Sequence, residues 1–149
     1  MSKRWSLPFR QGKFRATKPL RQEKTMNILV VDDEKVQIET LRRALRSKGY
    51  QVFEALNAIE ALDQLESMTY RIDMVLTDYV MPGKDGIELL KKIREKHGEL
   101  PVIIMTAYGE KGMLIDAIRN RCDGFIEKPF NVDQLINEIQ RVMSRPSPG

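Results

Sequence analysis

At 149 residues, 42% hydrophobic and 31% charged, the chain has the size and composition of one globular domain with a tail. Its longest apolar runs are four residues, Ile28 to Val31 and Val102 to Met105, against the roughly 20 a spanning helix needs, so an integral membrane protein is not expected. A single cysteine, Cys122, and a single histidine, His97, exclude a disulfide framework, a cysteine-built zinc site and a histidine-rich metal cluster, with the cytoplasm as the expected compartment.

The net charge of +4 is unevenly divided. Residues 1–25 carry eight Lys/Arg and one acid, Glu23, for +7; residues 26–149 carry seventeen bases and twenty acids, for −3. Overall basicity is therefore poor support for nucleic-acid binding by the folded part. The tail contains Pro8, Gly12 and Pro19, shows no apolar period and lacks the apolar region of a secretory signal. It reads as a disordered extension. Trp5, Phe9 and Phe14 leave a second reading, contact with nucleic acid or a membrane surface. The run from Met26 onward reads like a natural chain start.

From Asn27, short apolar runs alternate with amphipathic stretches five times. Ile28 to Val31 predicts a strand buried on both faces. Ile38, Leu41 and Leu45 mark a helix, which Gly49 ends. Gln51 to Ala55 predicts a second, less apolar strand, suggesting a sheet edge; Ala58, Ala61, Leu62 and Leu65 mark the second helix. Met74 to Thr77 gives the third strand and Asp78 to Asp85 a loop through Pro82 and Gly83. Ile87, Leu90 and Ile93 place a third helix that His97 and Gly98 close. Val102 to Met105, opened by Pro101, is the fourth strand; Leu114, Ala117 and Ile118 mark the fourth helix, and Phe125 and Ile126 a short fifth strand. Val132, Leu135, Ile136, Ile139 and Val142 form the clearest amphipathic helix, and residues 144–149 read as a linker-like end.

Such alternation predicts right-handed crossovers and a single doubly wound, flavodoxin-like α/β domain over residues 26–143. Its five-stranded parallel sheet would run 2-1-3-4-5, with helices on both faces. Ligands bind such sheets beyond the carboxyl ends of the strands, at the switch in strand order. Those ends carry Asp32, Asp33 and Glu34 after strand one, Asp78 after strand three, Thr106 after strand four and Lys128 after strand five. Strand two ends without charge, at Leu56 and Asn57.

Converging carboxylates with no histidine or cysteine want a hard divalent cation, which relieves their repulsion. Magnesium suits them, with manganese as the alternative. A lysine and a threonine opposite the acids suit phosphoryl oxygens. Together these types imply phosphoryl transfer to an aspartate. Taken singly, Asp-Asp-Glu could cap a helix, Asp78 could sit in a turn, Thr106 could cap and Lys128 could be a solvated charge. Their joint placement at successive strand ends favours the chemical reading.

Four segments then carry a resemblance: Val30-Val31-Asp32-Asp33-Glu34, Leu76-Thr77-Asp78-Tyr79-Val80-Met81-Pro82, Met105-Thr106-Ala107 and Glu127-Lys128-Pro129-Phe130. The stretch 27–143 resembles the receiver domain of two-component response regulators, and Thr106-Ala107-Tyr108-Gly109 is similar to receivers of enhancer-binding transcription regulators. The resemblance implies Asp78 as phosphoacceptor, with Asp33 and Asp78 as direct magnesium ligands, Val80 through its carbonyl and Asp32 through water. It implies Thr106 and Lys128 as phosphoryl-binding groups, Phe125 as the aromatic that switches with Thr106, and a cis bond between Lys128 and Pro129. It also implies Val80 and Tyr108 beside the path of the water that hydrolyses the phosphoryl group. The implied partners are a histidine kinase or phosphotransfer protein, and a downstream effector or self-dimer on the face of helix four, strand five and helix five. Such a protein is a phosphoacceptor rather than an enzyme with a separate substrate. Output is expected through partner contact, or through an effector domain on a longer native chain.

Two other classes fit less well. An aspartate-nucleophile phosphatase needs a second acid two residues after the nucleophile, where Val80 stands. Nucleotide-binding glycine signatures are missing from the sequence.

Overall fold

The computed structural model describes residues 25–67, 69–81, 85–107 and 109–145. The readings made for residues 1–24, Pro82 and Gly83, Tyr108 and the end beyond residue 145 therefore lie outside the described residues. The elements follow in strict alternation. They are β1 (Asn27–Val31), α1 (Lys35–Ser47), β2 (Gln51–Ala55), α2 (Ala58–Ser67), β3 (Met74–Asp78), α3 (Gly86–His97), β4 (Val102–Ala107), α4 (Lys111–Arg119), β5 (Gly124–Lys128) and α5 (Val132–Met143).

All pairings are parallel, and the strand order is β2-β1-β3-β4-β5, as the sequence predicts. The first strand of the chain lies inside the sheet because β1 is apolar on both faces, whereas half-exposed β2 takes an edge. Successive strand side chains point to opposite faces, so each strand feeds two cores. Leu29, Val31, Val75 and Ile104 pack with Ala61, Leu65, Leu90, Ile93 and Ala117 of α2, α3 and α4. Ile28, Val30, Leu76 and Met105 pack with Ile38, Leu41, Leu45, Leu135, Ile139 and Val142 of α1 and α5. Each large aliphatic side chain buried this way contributes roughly 1.5–3 kcal/mol.

Local chemistry sets the helix ends. Gly49, just past the C-cap Lys48, takes φ +94°, where a side chain would be strained. Asp85 caps α3 by accepting the Glu88 N–H at 2.9 Å. Asn131 and Gln134 form a reciprocal capping box on α5, with bonds of 2.8 and 2.9 Å.

Both helices stand where Ile118 and Val132 mark them, but neither of these side chains joins the core. Ile118 does not belong to the buried stripe of α4: it is 56% exposed, and Ala117 is the buried residue of that helix. The nine-residue α4 lies on β4 and presents only a narrow strip to the core, so among the described residues its outer side is left uncovered. Val132 likewise stands exposed on the first turn of α5, ahead of the point where Leu135 and Ile139 meet the sheet.

Candidate functional site

The carboxyl ends of β1, β3, β4 and β5 carry the candidate residues, and the strand register explains their arrangement. Asp78, last in β3, pairs with Met105 of β4, one residue short of Thr106. Lys128, last in β5, pairs with Ala107. β4 therefore lies between the acid and the base, and the lysine stem crosses over its end. The ammonium Nζ reaches 3.1 Å from Asp78 Oδ1. Both side chains are half-buried.

Asp32, Asp33 and Asp78 each bring a carboxylate oxygen within 4.8 Å of the other two. Asp32 is fully buried and Asp33 exposed, so the cluster grades from interior to solvent. One Asp32 oxygen accepts the Glu34 N–H at 2.9 Å; the other is buried without a hydrogen-bond partner. Burial pushes the Asp32 carboxyl from 3.8 up to about 6; the Glu34 N–H opposes this, and the charges of Asp78 and Asp33 add to it. The N-cap of α1 is Glu34, which makes no side-chain cap bond, so capping does not account for the Asp-Asp-Glu run. A buried carboxylate oxygen without a partner, in a candidate ligand group of three aspartates with no histidine or cysteine among them, fits a hard divalent cation of the magnesium type.

Thr106 is buried on β4 and Phe125 is 36% exposed on β5. Phe125 pairs with Ile104 and Glu127 with Thr106, so Thr106 and Phe125 share the sheet face that carries α4. The Phe125 N–H donates to Glu138 of α5 at 3.1 Å. Val80 is exposed beside the site, and the Lys128–Pro129 bond is cis. His97 closes α3, 3.5 Å from Glu66, away from these strand ends.

Several supporting residues escape a reading of single motifs. Thr77, fully buried, donates its hydroxyl to the Asp78 carbonyl at 3.0 Å. Gly86, the first residue of α3, is pressed against the same carbonyl. A methyl group there would overlap that oxygen and come within 3.0 Å of Tyr79 Cα. Its N–H donates to the Tyr79 carbonyl at 2.7 Å. The signal for this close approach is the glycine placed directly after the capping Asp85.

Residues 28–140 match the family model of the response regulator receiver domain. The chain belongs to this family. It is similar to the response regulator MprA of Mycobacterium avium, 33% identical over 123 residues that cover 83% of this chain and 53% of that protein. It is also similar to the sensor kinase CckA of Brucella abortus, 33% identical over 118 residues, 79% of this chain and 12% of that one. The chain spans about half the length of the MprA response regulators it matches. A solved response regulator receiver domain protein from Clostridium thermocellum superimposes with a TM-score of 0.76 at 28% identity, covering 80% of this chain and 95% of that one. NtrX from Brucella abortus gives 0.75 at 33% identity, covering 80% and 27%. The chain thus contains a response regulator receiver domain of the two-component type. No helix among the described residues is long and apolar enough to cross a membrane.

Proposed function

We propose that this receiver accepts a phosphoryl group on Asp78 from a histidine kinase or phosphotransfer protein, and that the modification remodels the surface around α4, β5 and α5. The observation that carries the reading is the 3.1 Å contact of Lys128 with Asp78 beside the Asp32–Asp33–Asp78 cluster. A carboxylate oxygen of Asp78 attacks phosphorus; a P–O bond forms as the P–N bond to the donor histidine breaks, and the electron pair leaves with the imidazole nitrogen. Lys128 stands where it can pair with a phosphoryl oxygen, and Thr106 can donate its hydroxyl to another.

Asp33, Asp78 and the Val80 carbonyl would hold magnesium, or manganese, directly, with Asp32 acting through water. When bound, the ion offsets the negative charge of the acids and the phosphoryl oxygens. Movement of Thr106 toward the phosphoryl group vacates space on the face it shares with Phe125, into which the ring turns. Phenylalanine has no hydroxyl, so this switch rests on packing. The exposed Ile115, Ile118 and Phe125 give the surface of α4 and β5 an apolar character suited to an effector or a second copy. The protein in this reading works in the cytoplasm and modifies itself, losing the phosphoryl group slowly, without turning over a separate substrate.

The test is incubation with a small phosphodonor and magnesium, comparing the full chain with Asp78→Asn. Base-labile incorporation by the wild type alone supports the reading; equal labelling of the variant overturns it.

A further inference from the structure

Tyr79 connects the end of β3 to α4. Its N–H donates to the Met105 carbonyl at 2.9 Å, and its own carbonyl accepts the Gly86 N–H at 2.7 Å, so its main chain is fixed between β4 and the start of α3. The half-buried ring packs against the core beneath α2 to α4. Its hydroxyl donates to Asp116 Oδ2, in the middle of α4, at 3.0 Å. Burial, then the bond to Asp116 and its charge, push the phenol above its ordinary value, so the hydroxyl keeps its proton and stays a donor.

The helix on the other side of this bond has few alternative attachments. Ala117 is the buried residue of α4, while Ile115 and Ile118 are exposed and the N-cap Glu110 makes no side-chain cap bond. Thr106 precedes the helix by only five residues, so the phosphoryl-site strand end and the start of α4 are close in the chain. The middle of the helix remains tied, through Asp116, to the residue that follows Asp78.

We propose that the Tyr79–Asp116 hydrogen bond is a tether that holds α4 in its resting position and sets how readily the helix follows the arrival of a phosphoryl group at Asp78. The proposal rests on the reading of Asp78 as phosphoacceptor. Tyr79 is in this account a positioning residue, acting on α4 through Asp116. A solvent-accessible hydrogen bond contributes modestly, which suits a bias between two states rather than a lock. Linkage then requires reciprocity: if the phosphorylated arrangement opens the tether, opening the tether must favour that arrangement.

The experiment compares Tyr79→Phe, Asp116→Ala, Asp116→Asn and the double variant Tyr79→Phe/Asp116→Ala in the full chain. Amide exchange of residues 111–119 is measured without any phosphoryl group, and apparent affinity for beryllium fluoride with magnesium is measured separately. Tyr79→Phe and Asp116→Ala are expected to exchange faster and bind beryllium fluoride more tightly, each by roughly two- to tenfold, the range set by one net hydrogen bond. The double variant should go no further than either single one. Asp116→Asn, whose amide oxygen still accepts from the hydroxyl, should stay close to wild type. Unchanged exchange in Tyr79→Phe and Asp116→Ala overturns the tether. So does faster exchange with unaltered or weakened beryllium fluoride binding, the pattern of a merely structural bond. Asp116→Asn behaving like Asp116→Ala also overturns it, since charge would then hold the helix. Failure of the wild type to bind beryllium fluoride would contradict the phosphoacceptor reading instead, and the exchange comparison would still decide whether the bond holds α4.

Discussion

The ammonium of Lys128 lies 3.1 Å from Asp78 although their strands, β5 and β3, are not neighbours. The lysine stem spans the end of β4 to make the contact, so the cation sits above the strand end that carries Thr106.

Replacing Lys128 with Met should therefore slow labelling by a small phosphodonor about ten- to a hundredfold, the range for loss of one hydrogen bond to a charged group. Lys128→Arg keeps the charge but changes its reach, and should fall between the two. Initial labelling rates check this. An unaltered rate in Lys128→Met would remove the lysine from the phosphoryl site.

Gly86→Ala separates two opposing effects. In a helix, alanine is favoured over glycine by up to about 1 kcal/mol. Here the added methyl overlaps the Asp78 carbonyl oxygen, and overpacking costs roughly 1–3 kcal/mol. The expected net result is a lower urea midpoint and slower labelling. A raised midpoint would show that α3 can move off the phosphoacceptor strand without penalty.

Asp32 predicts a pH dependence of unusual sign for an aspartate. Its folded-state carboxyl titrates at about 6 against 3.8 ordinarily, so between these values the native state holds a proton that the unfolded chain does not. Its contribution to stability is full below 3.8 and is lost as pH rises through 6. In chelator, wild type should lose on the order of 2–3 kcal/mol from this group between pH 4 and 7. Asp32→Asn should lack that share of the slope and much of the stabilisation by added magnesium. Denaturation curves across this range check it; equal slopes for the two proteins would contradict it.

The lifetime of the phosphorylated state gives a further prediction. The family resemblance implies Val80 and Tyr108 beside the path of the water that hydrolyses the phosphoryl group, and neither residue type has a carboxylate or amide to orient it. Positioning supplies much of the help in phosphoryl transfer, so hydrolysis should be slow. Phosphate loss should accelerate severalfold in Val80→Asn combined with Tyr108→Glu. An unchanged or slower rate would mean that the path of the water is controlled elsewhere.

The fold was legible because the apolar runs were unambiguous. Ile28 to Val31 reads as a strand buried on both faces and half-polar Gln51 to Ala55 as an edge, and the observed strand order agrees with both. The family resemblance was likewise legible, since its residues are clustered in four short segments. Ile118 marks α4 correctly, but helical spacing shows which residues share a face, not whether anything covers it. The clamp around the Asp78 carbonyl and the Tyr79–Asp116 bond were not legible. They join residues up to 37 positions apart through contacts that no local period encodes.

The most direct test of the central claim is to locate the modified residue. After incubation with a small phosphodonor and magnesium, borohydride converts an aspartyl phosphate to homoserine, which peptide mass spectrometry reads at its position. The account predicts homoserine at position 78, dependent on magnesium and lost in Asp78→Asn. Homoserine elsewhere, or labelling that persists in that variant at wild-type yield, would contradict it.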